Sequence, residues 1–243
     1  MNNYQIQAFV KKKKMEKIKL FTQNSDLKKG GIYGWTLPAH YVTLTNGTKF
    51  NCCPNAGICG AFCYAKSGTY MFSNVKKAHI QKLELVLNHR QDWKRMINEE
   101  LKLKKYDGKY IRIHDAGDFF NIEYALDWVE IAQNNPQCIF YAYTKEVNMF
   151  KNELVGKLPS NFITIFSFGG RQDHLIDREV DRHSDVFPNY DDMIKEGYND
   201  IGDDDKQSAI NPNHKVGLYR NNIKHFIKKM GDRTFSDWQN KKK

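Results

Sequence analysis

Between Tyr110 and Phe166 the chain alternates three short apolar segments with two longer amphipathic ones. Tyr110–His114, Cys138–Tyr143 and Phe162–Phe166 read as strands; Ile122–Gln133 and Val147–Leu154 read as helices. Strand and helix in strict alternation, joined by short connections, can bury both faces of a sheet only if the strands run parallel. The expected fold is therefore α/β: a parallel β/α barrel or partial barrel, with a doubly wound sheet as the alternative architecture. The length of 243 residues, 40% hydrophobic and 13% aromatic, is enough for one large core. We divide the chain into a basic peripheral segment, 1–30, and a single α/β domain, 31–243, with a decorated C-terminal part.

The flanking sequence is less regular. Lys17–Phe21 reads as a short strand or helix. Tyr41–Thr45 and Thr48–Asn51 read as a hairpin closed by Asn46-Gly47 in a type I′ turn. Ser73 or Asn74 is placed to cap a long helical region reaching Lys104, with a break near His89. Beyond Asp173 the pattern weakens to a strand at His214–Leu218 and a basic helix at Tyr219–Met230.

In a parallel α/β fold, sites form just beyond the carboxyl ends of the strands. Polar residues gather at those positions here. His114, Asp115 and Asp118 follow the first strand and suit proton transfer, substrate orientation or metal binding. Tyr143 ends the second strand, placed to stack or hydrogen-bond, and Lys145 follows it as an anion ligand. Gly169, Gly170 and Arg171 follow the third; the glycines permit close approach of backbone to a ligand, and the guanidinium clamps an anion. Asp118 and Asn121 are also candidates to cap the following helix. No P-loop ending and no Gly-x-Ser-x-Gly elbow occur.

Four of the five cysteines fall within Cys52–Cys63. Cys53-x5-Cys59-x3-Cys63 offers three thiolates, with Cys52 as a fourth, and the clustering suits a thiophilic centre: a [4Fe–4S] cluster, with zinc as the alternative metal. Cys138, at the start of an apolar strand, reads as a buried thiol. The formal net charge is +10, with eight lysines in residues 1–30 and nine Lys or Arg in 215–243. Two basic ends suggest nucleic acid or another anionic partner. The sequence has no apolar run of membrane-spanning length and no segment of signal-peptide type, so the expected setting is cytoplasmic.

Cys53–Ala65, Arg112–Phe119 and Tyr141–Lys145 together resemble the phage-associated gene product eighty-eight family, over roughly residues 35–175. That resemblance implies a protein encoded by a phage or mobile element. The arrangement is also distantly similar to radical S-adenosylmethionine enzymes, which hold a cluster through three cysteines beside a β/α barrel. It implies that Cys53, Cys59 and Cys63 hold a cluster whose open iron chelates S-adenosylmethionine, although the usual spacing there is Cys-x3-Cys-x2-Cys. The resulting expectation is an iron–sulfur enzyme acting on nucleic acid or a nucleotide-like substrate. The alternatives are a non-catalytic, metal-stabilised protein that binds nucleic acid or inhibits a partner, and a divalent-metal phosphodiesterase using His114, Asp115 and Asp118.

Overall fold

Among the described residues, seven strands form one wholly parallel sheet, as the strand–helix alternation predicts. The structure is a computed structural model and describes residues 18–202, 204–220 and 224–241. The strands are β1 (Ile32–Trp35), β4 (Tyr110–Ile113), β5 (Ile139–Thr144), β6 (Phe162–Ser167), β7 (His183–Phe187), β8 (Asn199–Asp200) and β9 (Lys215–Tyr219). Their spatial order is β1-β4-β5-β6-β7-β9-β8. Each strand up to β7 lies beside the next one in this sheet's sequence, as in a barrel and unlike a doubly wound sheet. The sheet curls into a half-barrel, and β8 pairs on the far side of β9 rather than continuing round.

A separate antiparallel hairpin, β2 (Tyr41–Thr43) and β3 (Lys49–Asn51), precedes the cysteine loop. Its turn is not type I′. Gly47 has φ +83°, but Asn46 does not adopt positive φ. Asn46 instead accepts the Thr48 amide through its side chain.

The helices are α1 (Ser25–Lys29), α2 (Ser73–Asn88), α3 (Arg90–Leu101), α4 (Ile122–Asn134), α5 (Tyr190–Lys195), α6 (Gln207–Ile210), α7 (Lys224–Met230) and α8 (Phe235–Asn240). The long helical region does break at His89, where α2 gives way to α3. Its start is not capped by Ser73 or Asn74; the residue before the helix is Phe72, with no side-chain cap. Asn121 caps α4 by accepting the Tyr124 amide. The expected helix over 147–154 is present as helical residues 147–153, in the wider π form from Met149 to Glu153. The basic C-terminal helix begins at Lys224; residues 221–223 lie outside the described residues, as do 1–17, which hold most of the basic N-terminal segment.

Alternation along the strands decides what faces each side. Ile111, Ile113, Phe140, Ala142, Phe162 and Phe166 join the main core with Trp93 of α3 and Trp128 of α4. Tyr141, Ile165 and Val216 belong to a smaller cluster with Leu27 of α1 and Ala209 of α6. Arg112, two residues before His114, shares the face of Tyr141, its register partner across β4 and β5. No helix among the described residues is long and apolar enough to cross a membrane.

Candidate functional site

The inner face of the half-barrel opens at its carboxyl edge into a cavity of about 360 Å³. Arg112, Tyr143, Lys145 and Ser167 line it from three adjacent strands and their ends. They arrive together because residues two apart on a strand share a face. Cys53, Cys59 and Cys63 form a second wall, and Phe226, Met230 and Phe235 of the C-terminal helices a third.

The cysteine loop is held like an extra edge segment. Ala56 bridges Gly170, the Cys59 amide donates to the Gly169 carbonyl at 3.0 Å and the Arg171 amide to the Asn55 carbonyl at 2.9 Å. Gln239 of α8 accepts the Ile58 amide at 2.8 Å. Phe62 stacks on Phe235 with centroids 5.5 Å apart. The glycines thus serve the loop. Gly169 has φ +94°, and a Cβ there would lie 2.9 Å from Phe235. The amides of Gly169 and Gly170 are both taken by Asp173, at 2.8 Å each, so the expected anion nest is filled by the chain itself. Arg171 is exposed and lies outside the cavity wall.

Lys145 is buried. Its Nζ donates to Ser167 Oγ at 2.9 Å and to the Ser167 carbonyl at 3.2 Å. Burial opposes its charge, but Cys59, Asp118 and Asp173 outweigh burial and hold its pKa above the ordinary lysine value. Arg112 is treated the same way: burial opposes its charge, and Asp205 and Asp115 override it. Its guanidinium pairs with Asp205 at 3.1 Å and Asp115 at 3.2 Å and lies 5.3 Å from the Tyr143 ring centroid.

The acids and histidine predicted at this edge do different work. Asp115 is tied down by Arg112, by the Tyr70 hydroxyl on its carboxylate and by the Tyr64 hydroxyl on its carbonyl. Asp118 is a clasp: it accepts the Phe119 amide at 2.8 Å, Thr144 Oγ1 at 2.7 Å and the Lys145 amide at 2.9 Å, joining the loop after β4 to the end of β5. Burial pushes its carboxyl up despite these bonds. His114 sits at φ +64° with Nε2 2.9 Å from the Tyr124 hydroxyl. Burial lowers its pKa to about 3, so the ring is neutral. Tyr143 turns its hydroxyl toward Asp205, 3.4 Å away. Sequence reasoning missed Arg112 and Asp205; the signal was a lone arginine inside an otherwise apolar strand, which needs a buried counter-charge.

The metal reading is overturned by side-chain placement. Among the described residues, no group of three or more His, Cys, Asp or Glu is arranged to hold a metal ion. Cys52 is fully buried in the core, its thiol pushed up to about 12 by burial. Cys53, Cys59 and Cys63 reach the same cavity without converging into a ligand set, and burial raises the pKa of Cys53 and Cys63. This corrects the expected [4Fe–4S] cluster and zinc site, and with them the cluster-binding loop, the iron–sulfur metalloenzyme and its use of S-adenosylmethionine. Nothing links the chain to radical S-adenosylmethionine enzymes. His114, Asp115 and Asp118 likewise form no divalent-ion site. Cys138 is buried, with its thiol 3.5 Å from the Tyr106 carbonyl.

No solved structure matches this fold closely enough to count as similar. The chain is 28% identical over 114 residues to the gene 88 protein of Mycobacterium phage L5, a match covering 44% of this chain and 48% of that protein. The chain therefore spans about half the length of the curated relative it matches. The family model described as gene product 88 matches residues 9–241, well beyond the segment that carried the sequence resemblance, and the chain belongs to that phage-associated family.

Proposed function

We propose that this protein binds an anionic, nucleotide-like ligand in the cavity at the carboxyl edge of the half-barrel. The observation that carries this reading is Lys145. Its ammonium is buried and charged, only two of its three N–H groups are taken, both by Ser167, and no described residue accepts the third. A buried charge with an open donor position is stabilised by an anionic oxygen. Arg220 adds a third cation to the wall, after Lys145 and the acid-paired Arg112, and Tyr143, Phe62 and Phe235 supply flat apolar surface for a ring. The volume of about 360 Å³ lies in the range of small-molecule sites.

Calorimetric titration with nucleoside mono-, di- and triphosphates, and with inorganic phosphate, tests this reading. At least one nucleotide is expected to bind, and Lys145→Met is expected to weaken it tenfold or more while leaving the circular dichroism spectrum unchanged. Affinity unaltered by Lys145→Met, or no binding across the panel at millimolar concentration, removes the reading.

A polynucleotide reading has its own support. Lys228 and Lys229 are exposed on α7, the helix that supplies Phe226 and Met230 to the cavity wall. A single strand seated with one nucleotide in the cavity would lay its neighbouring phosphates there. Binding of short oligonucleotides would then weaken steeply with salt, and Lys228→Ala with Lys229→Ala would flatten that dependence.

A further inference from the structure

All five cysteines are free thiols, but only Cys53, Cys59 and Cys63 line the cavity. The Ile58 carbonyl accepts both the Ala61 amide at 2.9 Å and the Phe62 amide at 3.1 Å. One helical turn, residues 58–62, therefore holds Cys59, and Cys63 is the residue directly after it, with both cysteines on the cavity wall. We infer that Cys59 and Cys63 form a dithiol–disulfide couple on the cavity wall, oxidised by low-molecular-weight disulfides.

The surroundings favour this pair over the other combinations. Lys66 is anchored on the Gly60 carbonyl at 2.6 Å, between the two cysteines in sequence. Burial and Cys59 push the Cys63 thiol up, and Lys66 and Lys145 offset part of that rise, while Cys59 is the neighbour that most supports the charge of Lys145. Neighbouring ammonium groups promote the thiolate, the form that attacks a disulfide. Cys53 instead faces the carboxylate of Asp118, which opposes its ionisation. Cys52 is fully buried in the core. Cys59 and Cys63 are close enough for Cys59 to act directly on the Cys63 thiol, and a bridge between them needs their α-carbons within about 7 Å.

The exchange runs in two steps. Cys59 releases its proton to solvent, and its thiolate attacks one sulfur of the reagent disulfide. The reagent S–S bond breaks, a mixed disulfide forms on Cys59, and one reagent thiolate leaves and takes up a proton. The Cys63 thiolate then attacks the Cys59 sulfur and displaces the second reagent thiolate. The protein loses two electrons and two protons, and the reagent gains both. The inference does not depend on which ligand the cavity binds.

The test equilibrates the reduced protein with glutathione buffers of increasing oxidised fraction, quenches with acid, unfolds the protein in denaturant with N-ethylmaleimide so that every remaining thiol is blocked, and digests with trypsin. One peptide, residues 50–66, carries Cys52, Cys53, Cys59 and Cys63. With rising oxidation it is expected to become two hydrogens lighter and to carry two maleimides in place of four, with backbone fragments missing only between Cys59 and Cys63. Cys63→Ser is expected to stop at a glutathione adduct on Cys59, and Cys53→Ser to keep the bridge. Four maleimides in fully oxidised glutathione, adducts without an internal bridge, or a bridge through Cys52 or Cys53 would each overturn the inference. The fragment pattern of the unmutated protein identifies the pair by itself, so the outcome stands even where a variant folds poorly.

Discussion

Glu146 shows how a buried acid can support a loop and still cost stability. Its side chain is buried and accepts the Asn55 amide at 3.2 Å and Asn55 Nδ2 at 2.5 Å, fixing the start of the cysteine loop. Burial first, and then the nearby Asp118, push its carboxyl up to about 7. A carboxyl raised above its unfolded value keeps a proton in the fold that the unfolded chain releases. Its contribution is therefore full at acid pH and is lost as pH rises from about 4.5 through about 7. Glu146→Gln keeps an acceptor for Asn55 without the charge. The variant is expected to melt with the parent protein at pH 5 and several degrees above it at pH 8; an equal offset at both values would show that ionisation of Glu146 is not what matters. His114 acts in the opposite sense. Its neutral ring is favoured by burial, so its contribution is present above pH 6.5 and lost as pH falls toward 3. The two residues oppose each other between pH 4.5 and 6.5, which makes the difference between variant and parent, rather than the parent's own profile, the informative quantity.

At the scale of elements, the Gly169-Gly170 turn and the C-terminal helices act on the cysteine loop from two sides. Gly169→Ala introduces a Cβ 2.9 Å from Phe235 at a backbone angle of φ +94°. It is expected to cost about 1–3 kcal/mol, and to shift the fluorescence of Trp238, which packs beside Phe62. A thermal melt and an emission spectrum check this; a melt unchanged within error would mean the turn relaxes freely. The elements also show where sequence reading succeeded. The strands β4, β5 and β6 were legible because each is a short apolar run bounded by turn residues. β7 was not, because His183, Ser184 and Asp185 are polar yet buried. Their burial depends on partners far away in sequence, such as the Tyr198 hydroxyl 3.0 Å from His183 Nε2. The hairpin was recognised but its turn was misassigned, because the Asn46 side chain replaced the backbone conformation that Asn-Gly usually signals. The cysteine loop was read as a metal-holding segment, but spacing alone does not show where thiols point, and the structure divides them between core and cavity.

For the whole molecule, the cavity joins a rigid frame to a smaller, separable cap. The frame is the large core beneath β4, β5 and β6. The cap is a cluster of its own, in which Ile58 and Phe62 pack with Phe226, Met230 and Phe235. Phe62 is the residue that ties loop to helices, stacked on Phe235 and edged by Phe226 and Trp238. Phe62→Ala is expected to cost about 3–5 kcal/mol of cap stability. Hydrogen exchange should accelerate in the segment 224–240 while β4–β6 stay protected. Equal acceleration throughout would mean the two clusters unfold as one unit.

The strand order has a consequence for how the cavity comes into being. Through β7, every strand of the sheet pairs beside the one made just before it, so the frame is able to assemble as the chain emerges from synthesis. β9 breaks that rhythm: it adds beside β7, and the earlier β8 takes its place beyond it. The cap is completed later still, when the stretch after β9 packs onto Ile58 and Phe62. A nascent chain can thus own its sheet, its buried lysine and its thiols before it owns a pocket, and those groups face water until the C-terminal helices arrive.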